Sequence, residues 1–251
     1  MRVLLIIAFL SAVKICTGQE ISEKVVTLND LLNTAYRNLS VTSTDSIIRN
    51  NQQQIKSTWH SLLYLIIRHN ELENYCNEFS DIGRVAELRY KAGESDFQES
   101  MDQLAMVAGY NTEKDITANE ISICRNLLRQ QAGTDYTMIP ADTALNLYEI
   151  DKSHGSAKIL PDSNDVFSAL TLENMSLQLD NLFIKLNYYT GFGLDYAESI
   201  SRTAHARFHQ EDIDLYAFLK AITESLKIKL QYLECLNNYN QSAIQLEYYA
   251  Y

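Results

Sequence analysis

Turn-makers are scarce in this chain: 2 prolines and 8 glycines stand among 251 residues, about 1% and 3% where ordinary chains carry roughly 5% and 7%. β-Sandwiches, propellers and short-stranded barrels need Gly or Pro at many corners, so the deficit argues against all of them. Collagen-like and Pro/Gly-rich disordered chains fail on the same count. Hydrophobic residues make up 46%, which is ample for a core and too much for wholesale disorder. The expected fold is all-α, a multi-helix bundle.

Apolar residues recur at helical spacing almost throughout. Leu28, Leu31, Leu32, Ala35, Tyr36 and Leu39 follow the i, i+3, i+4, i+7 rule of one buried helix face. From about Asp45 a second stripe carries Ile48, Ile55, Trp59, Leu62, Leu63 and Ile66, with a break expected at Asn70. It resumes through Leu72, Tyr75, Cys76 and Phe79 towards Gly93, a natural position just past a helix end. Ser95-Asp96 starts a further helix that Gly109 is expected to stop, and Thr112 with Asp115 opens another that ends before Gly133. Beyond Ser163 the stripe Val166, Phe167, Leu170, Leu177, Leu182, Phe183 and Leu186 reads as core and ends near Thr190-Gly191. A shorter helix, Leu194 to His209, and the strongest one, from Asp212 through Leu233, complete the chain. Helix content of roughly 60–70% is expected, well above the ordinary level.

Both prolines, Pro140 and Pro161, fall in one interval with Gly155 and the small or polar run Lys152–Ser156. This predicts a long irregular crossover around residues 133–162, with Pro140 opening a short helix through Ala144, Leu147 and Tyr148. Helical bundles often contain such crossovers. A hinge between two halves, 19–132 and 163–251, is the rival reading. Each half has only about 90–115 residues, small for an independent core, so a single helical domain over 19–251 is preferred.

The N-terminus has the layout of a secretory signal peptide over residues 1–18: Arg2, an apolar run Val3–Val13 broken by Ser11, and small residues around Cys16-Thr17-Gly18. The expected mature protein is secreted, extracellular and begins near Gln19. Downstream the longest apolar run is Leu62–Ile67, so no transmembrane segment is expected. Losing Arg2 and Lys14 moves the formal charge from −11 to −13, which disfavours nucleic acid and anionic membrane surfaces as partners. Removal of Cys16 leaves Cys76, Cys124 and Cys235. In an oxidising compartment these suggest one disulfide and one remaining thiol. Loop entropy separates the pairings by only a few tenths of a kcal/mol, and adjacency of sequence-neighbouring elements favours Cys76–Cys124. Three N-x-S/T sequons, at Asn38, Asn174 and Asn240, become glycosylation candidates once secretion is assumed.

Motifs for catalysis are missing: there is no Gly-x-Ser-x-Gly elbow, His-Glu-x-x-His, Walker A loop or EF-hand loop. Gly191-Phe192-Gly193 lacks the third glycine of a dinucleotide fingerprint, since Tyr196 stands there. No cofactor is expected. His205 and His209 at i, i+4 share a helix face and form the one metal-ligand candidate, with a carboxylate from Glu211, Asp212 or Asp214 as a third donor; a solvated helix end suits them as well. His60 and His69 flank the Leu62–Ile67 run and read as edge-of-core residues. The C-terminal Tyr248, Tyr249 and Tyr251 crowd a terminus and are candidates for docking a partner.

These observations lead to a secreted, acidic, non-catalytic all-α protein that acts by binding a protein partner or by self-association. The alternative is a carrier of a small apolar ligand lodged between helices. A metal-dependent enzyme built on His205 and His209 ranks last.

Overall fold

The computed structural model describes residues 22–40, 43–80, 82–93, 97–150 and 166–250. The signal-peptide segment 1–18, Gly155, Pro161 and Tyr251 lie outside them. Over the described residues the protein is 82% helical, as an all-α bundle requires. In chain order come β1 (Glu23–Val26), α1 (Leu28–Leu39), α2 (Asp45–Glu78), α3 (Ile82–Ala92), α4 (Phe97–Ala132), β2 (Thr137–Pro140), α5 (Val166–Tyr188), a π-helical turn (Tyr189–Gly193), α6 (Leu194–His209) and α7 (Leu215–Ala250).

α1 begins with a reciprocal cap. The Asp30 amide donates to Thr27 Oγ1 (3.2 Å) while the Thr27 amide donates to Asp30 Oδ2 (2.9 Å), satisfying two otherwise orphaned donors. That backbone bond, with the Thr27 hydroxyl, holds the Asp30 carboxyl below its ordinary value. At the other end Asn38 Nδ2 donates to the Ala132 carbonyl at 2.8 Å, so α1 caps the end of α4. Gly133 makes that approach possible. Its φ is +66°, and a Cβ there would meet Asn38 Nδ2 at 3.0 Å.

Three expected breaks do not occur: the helix expected to end near Thr190-Gly191 continues through the π-helical turn Tyr189–Gly193 into α6, and the other two lie in α2 and α4. α2 runs unbroken through Asn70 for 34 residues, and α4 runs through Gly109 for 36. Thr112 does not cap a new helix; its hydroxyl donates back to the Ala108 carbonyl at 3.0 Å. An interior Asn or Gly costs a helix about 1 kcal/mol or less. Burial of Leu72, Tyr75, Cys76 and Phe79 beyond Asn70 outweighs that severalfold.

Pro140 opens no helix. It closes β2, which pairs in parallel with β1 from Glu23↔Thr137 to Val26↔Pro140. The proline tolerates this place because the strand ends there on a sheet edge. Val26 and Met138 turn into the core from this small sheet, and residues 141–150 continue without regular structure.

α2 lies antiparallel to α4 and to α7. Arg68 reaches Glu113 at 3.1 Å and Asn51 Nδ2 donates to the Gln131 carbonyl at 3.1 Å; Tyr75 meets Thr223 at 2.8 Å and Lys229 meets Glu71 at 3.4 Å. Two apolar clusters fill the interior. One gathers Leu31, Ile55, Trp59, Leu62, Leu128, Met138 and Leu236. The other gathers Leu72, Phe79, Val107, Ala204, Phe218 and Ile222. Each draws on residues from both sides of the crossover.

The pairing preference for Cys76–Cys124 is corrected by this layout. With Arg68 opposite Glu113, Cys124 lies beside the first half of α2, about 28 Å along the helix from Cys76 at 1.5 Å per residue. Cys235 turns to α5, where its Sγ lies 3.7 Å from the Leu182 carbonyl. All three are free thiols, and burial raises the pKa of each.

Candidate functional site

α5, the π turn and α6 form one long outer helix that packs chiefly on α7. Met175, Leu179, Leu182, Leu186, Tyr189 and Gly193 alternate at steps of four and three along the inner side, and the π turn shifts the next inner residue one place on, to Ala197, with Ala204 a further seven residues along. A π turn inserts one residue into an α-helix. Gly193 permits it here, because a Cβ would meet the Tyr189 ring at 3.0 Å. At the join, buried Ser225 of α7 donates to the Ala197 carbonyl at 2.7 Å.

The side of this helix that faces away from α7 is apolar as well. Leu170, Leu177, Ile184, Tyr188, Phe192 and Tyr196 are 48–65% exposed, and Phe183, 44% exposed, lies at the edge of the α7 contact with its ring 6.2 Å from that of Tyr239. This corrects the reading of Leu170, Leu177 and Phe183 as core. The rings form a ladder: Tyr188 and Phe192 lie 6.0 Å apart, and Phe192 stacks on Tyr196 at 5.5 Å. Exposed apolar patches of this extent on a soluble protein mark interaction sites. The signal available in the sequence was the seven-residue step of Leu170, Leu177 and Ile184, distinct from the inner stripe of Leu179, Leu182 and Leu186.

A polar seam between α2, α7 and the 141–150 segment is built around Asn240. Asn240 is fully buried; its Oδ1 accepts from the Tyr148 amide at 2.8 Å, and its Nδ2 donates to the Asn146 carbonyl at 2.9 Å and towards His60 Nδ1 at 3.3 Å. The Tyr148 ring meets His60 edge-on at 5.3 Å, and its hydroxyl donates to Glu247, which also takes Lys56 at 2.8 Å. Burial, against the attraction of Asp142, drives the His60 pKa down to about 4, so the imidazole is neutral near pH 7. The seam clasps the irregular strap onto the bundle.

The other sequence candidates separate. His205 Nε2 lies 2.7 Å from Glu78 Oε1, and Nδ1 lies 2.7 Å from the Ser201 carbonyl. Both ring nitrogens are therefore engaged, while His209 is exposed. Among the described residues no group of three His, Cys, Asp or Glu is placed to hold a metal, so the His205–His209 chelate has no third ligand there. Tyr248 is drawn inward: Arg49 donates to its carbonyl at 3.3 Å and lies over its ring. Tyr249 remains 48% exposed. Of the sequons, Asn174 is exposed and Asn38 is exposed with its amide used as the α4 cap. Asn240 is enclosed, and a sugar on its Nδ2 is incompatible with this packing. Among the described residues no helix is long and apolar enough to cross a membrane.

The chain matches no protein-family model, no curated protein and no solved structure.

Proposed function

We propose that this is a secreted, non-catalytic protein whose work is to bind a protein partner through the outer face of α5, the π turn and α6. The exposed ladder Ile184, Tyr188, Phe192 and Tyr196 carries the reading. Aromatic side chains dominate the energetics of protein interfaces, because they offer large contact area at small entropic cost. A rigid helix presents them here already ordered, which reduces the cost of association. The acidic charge supports a protein partner over a nucleic acid.

Site-specific photo-crosslinking tests the proposal. Benzoylphenylalanine replaces Phe192 in one variant and Leu88, an equally exposed residue of α3, in another. The expected result is a discrete protein adduct at position 192 in the medium of expressing cells, identified by mass spectrometry, with none at position 88. An exported protein that gives no protein adduct at 192 overturns the reading. Retention of the chain inside the cell overturns its secretory part.

A further inference from the structure

The outer face has a finer pattern than exposure alone, and it resembles a pairing seam. Leu170, Leu177 and Ile184 recur every seven residues, and Asn174, Asn181 and Tyr188 follow each of them by four. All six are exposed. This is the d and a spacing of a coiled coil, with Leu or Ile at d and two Asn at a, where Asn specifies register at some cost in stability. The π turn extends the seam: its extra residue brings Phe192 and Tyr196 to the places that Gly191 and Asp195 would hold in an uninterrupted α-helix. The ring contacts Tyr188–Phe192 and Phe192–Tyr196 show that the stripe does continue.

From this we infer that the occupant of the face is a second copy of the same chain, joined in a two-fold pair of outer helices. The inference rests on the protein-binding reading above and names the partner. A heptad seam is self-complementary in a way that a general apolar patch is not, since the same knobs and holes recur on both copies. Its area also suits a dimer. Taking about 200 Å² as the full surface of a large apolar side chain, the six half-exposed apolar residues of the seam offer on the order of 600 Å² per copy, approaching the ~800 Å² per partner of a standard interface. α4 carries a shorter exposed trio, Ile116, Ile123 and Leu127, but Glu120 lies among them and the seam does not lengthen.

Asn174 is both an a position and a sequon residue, so a sugar there would stand in the seam. Light scattering coupled to size exclusion, on the purified mature protein at about 1 to 100 μM, reads the mass directly. S176A is measured beside wild type, because it abolishes the acceptor motif and keeps Asn174. The expected result is a dimer for S176A and for any wild-type chain bare at Asn174. L177E and I184E, introduced separately into S176A, should each weaken the dimer by roughly tenfold or more with the helical circular dichroism unchanged. A monomeric wild type beside a dimeric S176A supports the pairing and assigns the sugar as its block. Monomers for both at 100 μM overturn the inference, as does a dimer that L177E and I184E leave intact. A crosslink from position 192 to a different protein, with monomers throughout, would overturn self-pairing and leave the protein-binding reading standing.

Discussion

Two amphipathic surfaces of this molecule have similar residue chemistry and opposite fates. The α2–α7 seam buries its apolar side chains and ties its polar ones: Trp59, Leu62 and Leu236 are enclosed, Asn240 reaches His60, Gln241 reaches Ser57, and Lys56 pairs with Glu247 across the contact. The outer face of α5 and α6 is as rich in large apolar groups, yet they stand in solvent. The first surface stabilises the fold. The second adds little to the fold of a single copy, and its composition is the observation on which the proposed pairing rests.

The sharpest way to break this comparison is at Trp59, which is almost fully enclosed. Trp59→Ala should cost about 3–5 kcal/mol, read as a lower urea midpoint with little change in slope. A loss below about 1 kcal/mol would mean that the seam is not the main core. Asn240→Ala comes next. It strands the Tyr148 amide and the Asn146 carbonyl, with an expected cost of about 2–3 kcal/mol and faster hydrogen exchange at the Tyr148 amide.

His60 supplies a pH test. Its folded pKa of about 4 lies below the ordinary 6.5, so the unfolded chain takes up a proton before the folded one does. Its stabilising contribution is complete above about pH 6.5 and is lost as pH falls from there towards 4. Residual solvent contact keeps the change on the order of 2 kcal/mol. His60→Gln should flatten the stability profile across that window, and an unchanged slope would show that His60 is not what sets it. The smallest effect belongs to the outer face. Ile184→Ala should alter the stability of the dilute monomer by less than about 0.5 kcal/mol; a core-sized loss would place Ile184 among the packed residues and erase the contrast.

Much of the fold was legible because helical periodicity survives in the sequence. α1 and α7 are where Leu28–Leu39 and the Leu219–Leu233 stripe place them, and Gly93 and Gly133 do end helices at positive φ. The continuity of α2 and α4 was not legible, since a local weakness at Asn70 or Gly109 is decided by tertiary burial that no local window contains. β1 and β2 escaped for a related reason: four-residue strands separated by more than a hundred positions have no local signature. The outer face was half legible. Periodicity reveals an apolar stripe on α5 but does not say which stripe the bundle will cover, so it groups Leu170 and Leu177 with Leu182 and Leu186, which face the other way. The Asn240 hub was hidden behind a tripeptide that reads as a surface sugar site.

The π turn has a consequence for chain length. Each residue advances a helix by about 100°, so a single extra residue at Tyr189–Gly193 sets the phase of α6 relative to α5. Both sides of the long helix depend on that one offset: the side against α7 and the side carrying the aromatic ladder. A one-residue deletion there would leave composition and helicity nearly untouched while rotating every later side chain by a quarter turn or more. Chain length at this point therefore fixes the phase of both faces at once, alongside the demand for a glycine at position 193.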